Sequence, residues 1–142
     1  MEPSMAAPIL TRYASKALLD HVLNISAFTL PGTVYLALFT ADPTPDGLTG
    51  DEPSGNGYAR VALTANMAPT SLGTGQAING ALMQFPVATG PWGAVSYFGI
   101  MDAASGGNML IYNSLSSPIT VTTGDQLPVS EGSLVLTLDA AE

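Results

Sequence analysis

Four acidic side chains in one irregular stretch have the clearest capacity for chemistry in this sequence. Asp42, Asp46, Asp51 and Glu52 lie within residues 41–57, and hard cations such as Ca²⁺ are bound by carboxylate and carbonyl oxygens. Their spacing does not match an EF-hand loop, and the Asp-Pro and Asp-Gly pairs are common turn formers. We interpret the stretch as a solvated acidic loop, and we expect no metal site and no cofactor.

Nucleophilic or general-base catalysis lacks its usual residues here. His21 is the only histidine and the chain has no cysteine. An imidazole base needs a nucleophile and an orienting acid in one pocket, and the sequence around His21 supplies no nucleophile. No nucleophile elbow, zinc-binding helix or phosphate loop is present. We therefore predict no catalytic residue and no enzymatic activity, with His21 on a helix surface or at a helix cap.

The charge balance excludes two classes of partner. The 142 residues carry 11 acids and only 3 Lys or Arg, a net charge of −8. Binding to nucleic acid depends on neutralising phosphates with clustered cations, and anionic membranes require the same. No apolar run approaches the ~20 residues of a membrane span, and the N-terminus lacks the basic start of a secretory signal. We expect a product made in the cytoplasm, binding neither nucleic acid nor membrane.

The pattern of apolar residues predicts one domain, residues 11–142, preceded by an N-terminal arm, residues 1–10. One helix is predicted from Arg12 to Ile25 because apolar residues recur there at spacings of three and four. They are Ala14, Leu18, Val22 and Ile25. Lys16 and Asp20 are four residues apart on another side of this helix and are expected to pair.

The rest of the chain has β character, with short apolar segments separated by turn residues. Predicted strands are Thr33–Thr40, Tyr58–Thr64, Ala81–Phe85, Val95–Met101, Met109–Leu115, Ile119–Thr122 and Ser133–Asp139, with Gln126–Val129 as a further candidate. In the last strand Leu134, Leu136 and Leu138 alternate with polar residues. The pattern predicts a mainly β fold, an antiparallel β-sandwich of jelly-roll or related Greek-key type with one N-terminal α-helix.

Residues 93–112, GAVSYFGIMDAASGGNMLIY, predict a hairpin because two apolar segments flank a turn with two consecutive glycines. This block follows YLALFTADP (Tyr35–Pro43), SGNGYARV (Ser54–Val61) and FPVATGPWG in the order seen in a family of small structural proteins of tailed-phage particles. The chain resembles this family from about Leu18 to Leu138. Its members are described as tail-fibre-like or capsid-decorating, so the resemblance implies a non-enzymatic virion component.

Within that resemblance, the favoured hypothesis is a cement or decoration protein on the capsid surface. It would bind as a homodimer or homotrimer across subunits of the major capsid protein and stabilise the assembled shell by mass action. The alternative is a tail or tail-fibre component that contacts receptor glycans. A third hypothesis is a glycan hydrolase on the particle, which would need paired carboxylates in a cleft.

Partner-contact residues are predicted from the arm, the helix, the acidic loop and two isolated residues: Pro3, Met5, Pro8, Arg12, Lys16, Asp46, Leu48, Arg60 and Trp92. The uncharged arm is expected to hold a partner, so that its removal weakens attachment and leaves the domain folded. Arg60 is expected to pair with Asp102 or with an acid of the long loop. For Trp92, packing in or at the rim of the core is favoured over stacking on a sugar.

Overall fold

The structure is a computed structural model that describes residues 1–5, 8–68, 70 and 75–137. Within these ranges it contains one α-helix, one 3₁₀ turn at Thr64–Asn66 and nine strands. The helix is α1 (Arg12–Val22), and the strands are β1 (Ile9–Leu10), β2 (Tyr35–Phe39), β3 (Val61–Ala62), β4 (Gln76–Ile78), β5 (Met83–Gln84), β6 (Gly93–Met101), β7 (Met109–Val121), β8 (Pro128–Val129) and β9 (Val135–Thr137).

Every strand pair in the described residues is antiparallel. Five strands form one sheet in the order β1-β7-β6-β2-β3, while β4 pairs with β9 and β5 with β8 in two short ladders. Side chains of the β5–β8 ladder pack with those of β2 and β6 in one core cluster. The predicted mainly β, antiparallel fold with an N-terminal helix is therefore confirmed, and the arrangement is compatible with a jelly roll.

The centre of the sheet is the hairpin of β6 and β7, as residues 93–112 predicted. Asp102 N donates to Asn108 O at 3.0 Å across the turn, and Gly106 and Gly107 both adopt positive φ. The prediction of separate strands at Met109–Leu115 and Ile119–Thr122 was wrong, because β7 runs through both. The ladder to β6 skips residues 115–118, so Pro118, which has no N–H to donate, is accommodated without losing a ladder bond.

Strand β2 is buried on both faces, as its near-continuous apolar sequence predicted. Leu36 and Leu38 face the main core, which includes Phe85, Phe98 and Leu127. Ala37 and Phe39 point to the opposite face, where they pack with a second cluster, Met101, Met109 and Tyr112. The main core therefore covers one face of this sheet, and the second cluster covers the other.

Several predicted strands are shorter in the structure. Only Val61–Ala62 of the segment Tyr58–Thr64 pairs with β2, because Tyr58 N donates back to Gly55 O in a turn and Thr64 begins the 3₁₀ turn. In the last strand Leu134 is buried and Leu136 half-buried, as the alternation predicted, whereas Leu138 and Asp139 lie outside the described residues.

Helix α1 is capped by Thr11, whose buried hydroxyl accepts from Ala14 N at 3.2 Å and donates to Met109 O at 2.6 Å. The predicted extension to Ile25 was wrong, because Asn24 adopts a left-handed conformation with φ 57° that ends the helix. Ala14 is buried and Leu18 half-buried, as predicted, but Val22 and Ile25 are exposed. The apolar stripe is thus covered by the sheet only along its N-terminal half.

We expect Thr11→Ala to lower the free energy of unfolding by about 1–2 kcal/mol, because it removes a helix cap and leaves Met109 O without this donor. Urea unfolding measures the difference. Thr11→Ser keeps the hydroxyl and is the matched control, expected to lose much less. Equal losses in the two variants would assign the effect to the methyl group of Thr11.

Candidate interaction surfaces

The N-terminal arm, predicted to hold a partner, lies against its own chain. Pro3 is buried, and Met5 is half-buried and forms a bridge with Leu115 of β7. Ser4 O accepts from Ser116 N at 2.7 Å. Glu2 accepts from the backbone N–H and the hydroxyl of Ser130, at 2.7 and 3.0 Å. These contacts make the arm part of the fold, so we now expect its removal to destabilise the domain itself.

Glu2 makes the attachment of this arm pH-dependent. The N–H of Ser130, and then its hydroxyl, lower the pKa of the Glu2 carboxyl below its ordinary value. A lowered folded-state pKa means that the contact stabilises the arm above the ordinary Glu pKa and is lost as pH falls through the folded-state value. We expect the Ser130 amide resonance to shift with a midpoint below about pH 4.3 in an NMR titration.

Glu2→Gln is the control for this titration, because its amide carries no titrating proton. The Ser130 resonance should lose that midpoint in the variant. A midpoint at or above the ordinary Glu value in the unsubstituted chain would contradict the prediction.

Arg60 connects the long loop to the β6–β7 turn. Its Nε and Nη2 donate to the two carboxylate oxygens of Glu52, both at 2.7 Å. Its Nη1 donates to the carbonyls of Ala103 and Gly106 at 2.6 and 2.8 Å, and the side chain is only 5% exposed. The loop-acid alternative for Arg60 is confirmed and the Asp102 alternative was wrong, since the Asp102 carboxylate accepts from Asn108 instead.

Tyr58 completes this cluster, and its role was not predicted from the sequence. Its hydroxyl donates to Glu52 Oε1 at 2.9 Å and accepts from Leu38 N at 3.0 Å. Burial raises the pKa of Tyr58, so the phenol stays protonated and can donate. The hydrogen bonds that Arg60 donates to Glu52 raise the pKa of Arg60, because the carboxylate stabilises the cation. The arrangement fixes residues 52–60 against the edge of β2.

The acidic loop closes the second face of the sheet. Pro43 is buried, and Gly47 lies so close to Met109 that a Cβ at that position would be 2.9 Å from the Met109 Cβ. At the tip, Leu48 is 87% exposed. The inner side of the loop therefore packs against the sheet, while Leu48 is exposed and stays a predicted contact residue.

The charged contact candidates on the helix are paired and exposed. Arg12 Nη1 lies 2.6 Å from Asp46 Oδ1, with both side chains more than half exposed. Lys16 pairs with Asp20, as predicted. Exposed pairs of this kind contribute little to stability and are screened by salt. Their role in binding a partner stays a prediction.

Trp92 lies in the main core. It is 5% exposed, its Nε1 donates to Asn56 O at 2.9 Å, and its ring contacts Tyr58 edge to face at a centroid distance of 5.2 Å. Core packing, the favoured interpretation, is confirmed. Direct contact of this ring with a partner or a sugar has no support in the structure, because almost none of the indole is exposed.

The remaining chemical candidates take structural positions. His21 is exposed, and its Nδ1 accepts from Phe28 N at 3.2 Å, which holds the segment after the helix.

Across the described ranges, no three His, Cys, Asp or Glu side chains are grouped so that they could hold a metal ion. No helix in the same ranges has the length and apolarity to cross a membrane.

Two apolar surfaces adjoin α1. A groove of about 280 Å³ lies between the helix and the strands, lined by residues that include Pro8, Ala14, Leu18 and Leu136. On the outside, five aliphatic side chains at and after the C-terminal end of the helix are 60–80% exposed; we call them the helix-end patch: Leu19, Val22, Leu23, Ile25 and Leu30. The sequence interpretation did not assign them to a contact surface, because Val22 and Ile25 were predicted to lie on the stripe that packs against the domain.

A comparison with known proteins identifies the family of this chain. A protein-family model matches residues 9–137, and its family is described as Podophage GP4 fiber I protein gp80. None of the curated proteins compared with the chain matches it. The match spans β1 to β9, so it includes the contacts among Arg60, Glu52 and Tyr58, the acidic loop and the buried Trp92. The chain therefore belongs to the podophage fiber I protein gp80 family and is a structural protein of the phage virion.

Proposed function

We propose that the protein is a component of the tail fibre that acts by adhesion to neighbouring virion proteins. The family match over residues 9–137 carries this proposal, because the family is described by a fibre protein. It favours the tail-fibre alternative over the capsid-cement hypothesis. The cement hypothesis requires binding to the major capsid protein. The test below distinguishes that location from the tail.

We further propose that the protein works without catalysis. Glu52 is occupied by Arg60 and Tyr58, and Asp46 is paired with Arg12. Carboxylates that hydrolyse a glycosidic bond must be free to exchange protons with the substrate. The use of these acids to hold loops supports a structural role over the glycan-hydrolase hypothesis.

The surface supports adhesion by burial of uncharged groups. Its exposed aliphatic side chains include Leu48 at the loop tip and the helix-end patch. With Trp92 in the core, stacking of receptor sugars on that ring has no support, so we propose protein neighbours as the partners. Exposed apolar patches on a monomer commonly mark such contacts.

Location and copy number in purified particles test this proposal. An antibody against the protein, coupled to gold, should label the tail in electron micrographs. On a stained gel the protein should be far less abundant than the major capsid protein, which serves as the internal standard. Label distributed over the capsid, with a copy number comparable to that of the major capsid protein, would overturn the fibre assignment and support the cement hypothesis.

A further inference from the structure

Two Asn-Gly pairs occur in the sequence, Asn56-Gly57 and Asn79-Gly80, and both could undergo the same reaction. In such a pair the backbone nitrogen of the glycine can attack the side-chain amide carbon of the asparagine. Glycine hinders this ring closure least, because it has no Cβ next to the attacking nitrogen. The structure places the two pairs in opposite environments, so one is a candidate site and the other is its internal reference.

Asn79-Gly80 is held by hydrogen bonds at both reacting groups. The Asn79 side chain is fully buried. Its Nδ2 donates to Ser130 O at 2.8 Å, and its Oδ1 accepts from Leu134 N at 2.9 Å. Gly80 N donates to Asn66 O at 2.8 Å, so the attacking nitrogen is engaged as well. Ring closure at this pair therefore requires that the buried segment first opens.

Asn56-Gly57 is open by comparison. Both residues are exposed and lie in a turn at the end of the acidic loop. Within the described ranges, no group accepts a hydrogen bond from Gly57 N. The Asn56 amide is held by an exposed hydrogen bond from Nδ2 to Pro91 O at 2.9 Å, and water can replace such a bond at little cost. The amide can therefore turn toward the backbone nitrogen while the domain stays folded.

We propose that Asn56 is a self-modification site, at which the chain converts asparagine to aspartate and isoaspartate without an enzyme. Hydroxide removes the proton of Gly57 N, and this nitrogen forms a bond to Asn56 Cγ. The Cγ–Nδ2 bond breaks, and Nδ2 takes a proton from water and leaves as ammonia, which completes a succinimide ring. A second water molecule then opens one of the two imide bonds, so that the chain continues through the main-chain carbonyl or through the side-chain carbonyl.

The modification changes the contacts that join the acidic loop to the segment before β6. Asn56 Nδ2 donates to Pro91 O, whereas the carboxylate of the aspartate product can only accept, so two oxygens would face each other. Asn56 O accepts from Trp92 Nε1 and Thr89 N, both at 2.9 Å, and isoaspartate lengthens the backbone at this point. Both products therefore loosen the Trp92 segment, and each adds one negative charge to a chain of −8.

Peptide mapping of the folded full-length chain by mass spectrometry tests this inference, and it needs no virion. At mildly alkaline pH, the Asn56 peptide should gain about 1 Da as its amide becomes an acid. This gain should be at least about 100-fold faster than at Asn79, where reaction must wait for local opening. In denaturant the two rates should become similar. Acidification should slow the reaction, because it removes the hydroxide that deprotonates Gly57 N.

Hydroxylamine detects the ring itself, because it attacks a succinimide and separates the two chain segments. The folded protein should first yield fragments 1–56 and 57–142, and cleavage after Asn79 should require denaturant. The modified protein, separated by its extra charge on an anion-exchange column, should melt at a lower temperature than the unmodified protein.

Asn56→Gly is the decisive variant, since glycine adopts the left-handed conformation of Asn56 (φ 50°) without strain and has no amide to lose. The early mass gain and the early cleavage should both disappear. Asn24→Gly is the matched control, because Asn24 is also exposed and left-handed, with φ 57°. It precedes the β-branched Ile25, so this variant should react at Asn56 as the unsubstituted chain does.

Three outcomes would overturn the inference. The first is equal rates of mass gain at Asn56 and Asn79 in the folded chain. The second is hydroxylamine cleavage of the folded chain that begins at any other site. The third is an Asn56→Gly chain that still shows the early mass gain and cleavage, or an Asn24→Gly chain that loses them.

Discussion

Replacing Arg60 with alanine is expected to lower the free energy of unfolding by about 3–5 kcal/mol, because the substitution leaves a largely buried Glu52 carboxylate without its cation. The guanidinium makes four hydrogen bonds, two to Glu52 and one each to the carbonyls of Ala103 and Gly106. Chemical unfolding measures the loss. Since the Arg60 side chain has almost no exposed surface, folding should suffer more than binding, although the sequence analysis predicted Arg60 as a partner-contact residue.

Lys16→Ala is the matched control for Arg60→Ala. It also removes one cation of an ion pair, but the Lys16 side chain is 78% exposed, so the change should be within about 0.5 kcal/mol. If Arg60→Ala were as mild as Lys16→Ala while lowering occupancy of the virion, Arg60 would be a binding residue. In that case the buried geometry described above would not hold in solution.

Replacing Trp92 with alanine is expected to lower the free energy of unfolding by about 3–5 kcal/mol, because it removes the largest side chain of the main core and leaves a cavity. The rings of Tyr58 and Phe85, with centroids 5.2 and 6.4 Å away, would lose their edge-to-face neighbour. Thermal unfolding followed by circular dichroism measures the loss. Trp92 fluorescence of the unsubstituted chain should also shift to the red on unfolding as the indole enters water.

Tyr13→Ala is the aromatic control for Trp92→Ala. Tyr13 is exposed on α1, and alanine favours the helix, so stability should change little. A Trp92→Ala protein that melts normally but fails to bind cells would restore the sugar-stacking hypothesis.

Local pattern predicted the elements whose neighbours are close in sequence. The β6–β7 hairpin follows from apolar segments on either side of a glycine turn, and the burial of β2 follows from its continuous apolar run. The start of the helix at Arg12 follows from the apolar spacing of its first turns. Its end does not, because the left-handed conformation of Asn24 depends on where the following segment packs.

The sequence by itself determined that this is an acidic, mainly β domain, because composition and periodicity decide which surfaces must be buried and which partners are repelled. Only the tertiary structure decided what each candidate contact residue does. Arg60 and Trp92 became parts of the interior because chain segments more than thirty residues away, at Ala103 and Asn56, supply their partners. The C-terminal half of α1 is left exposed because the sheet packs only against the N-terminal half of the helix.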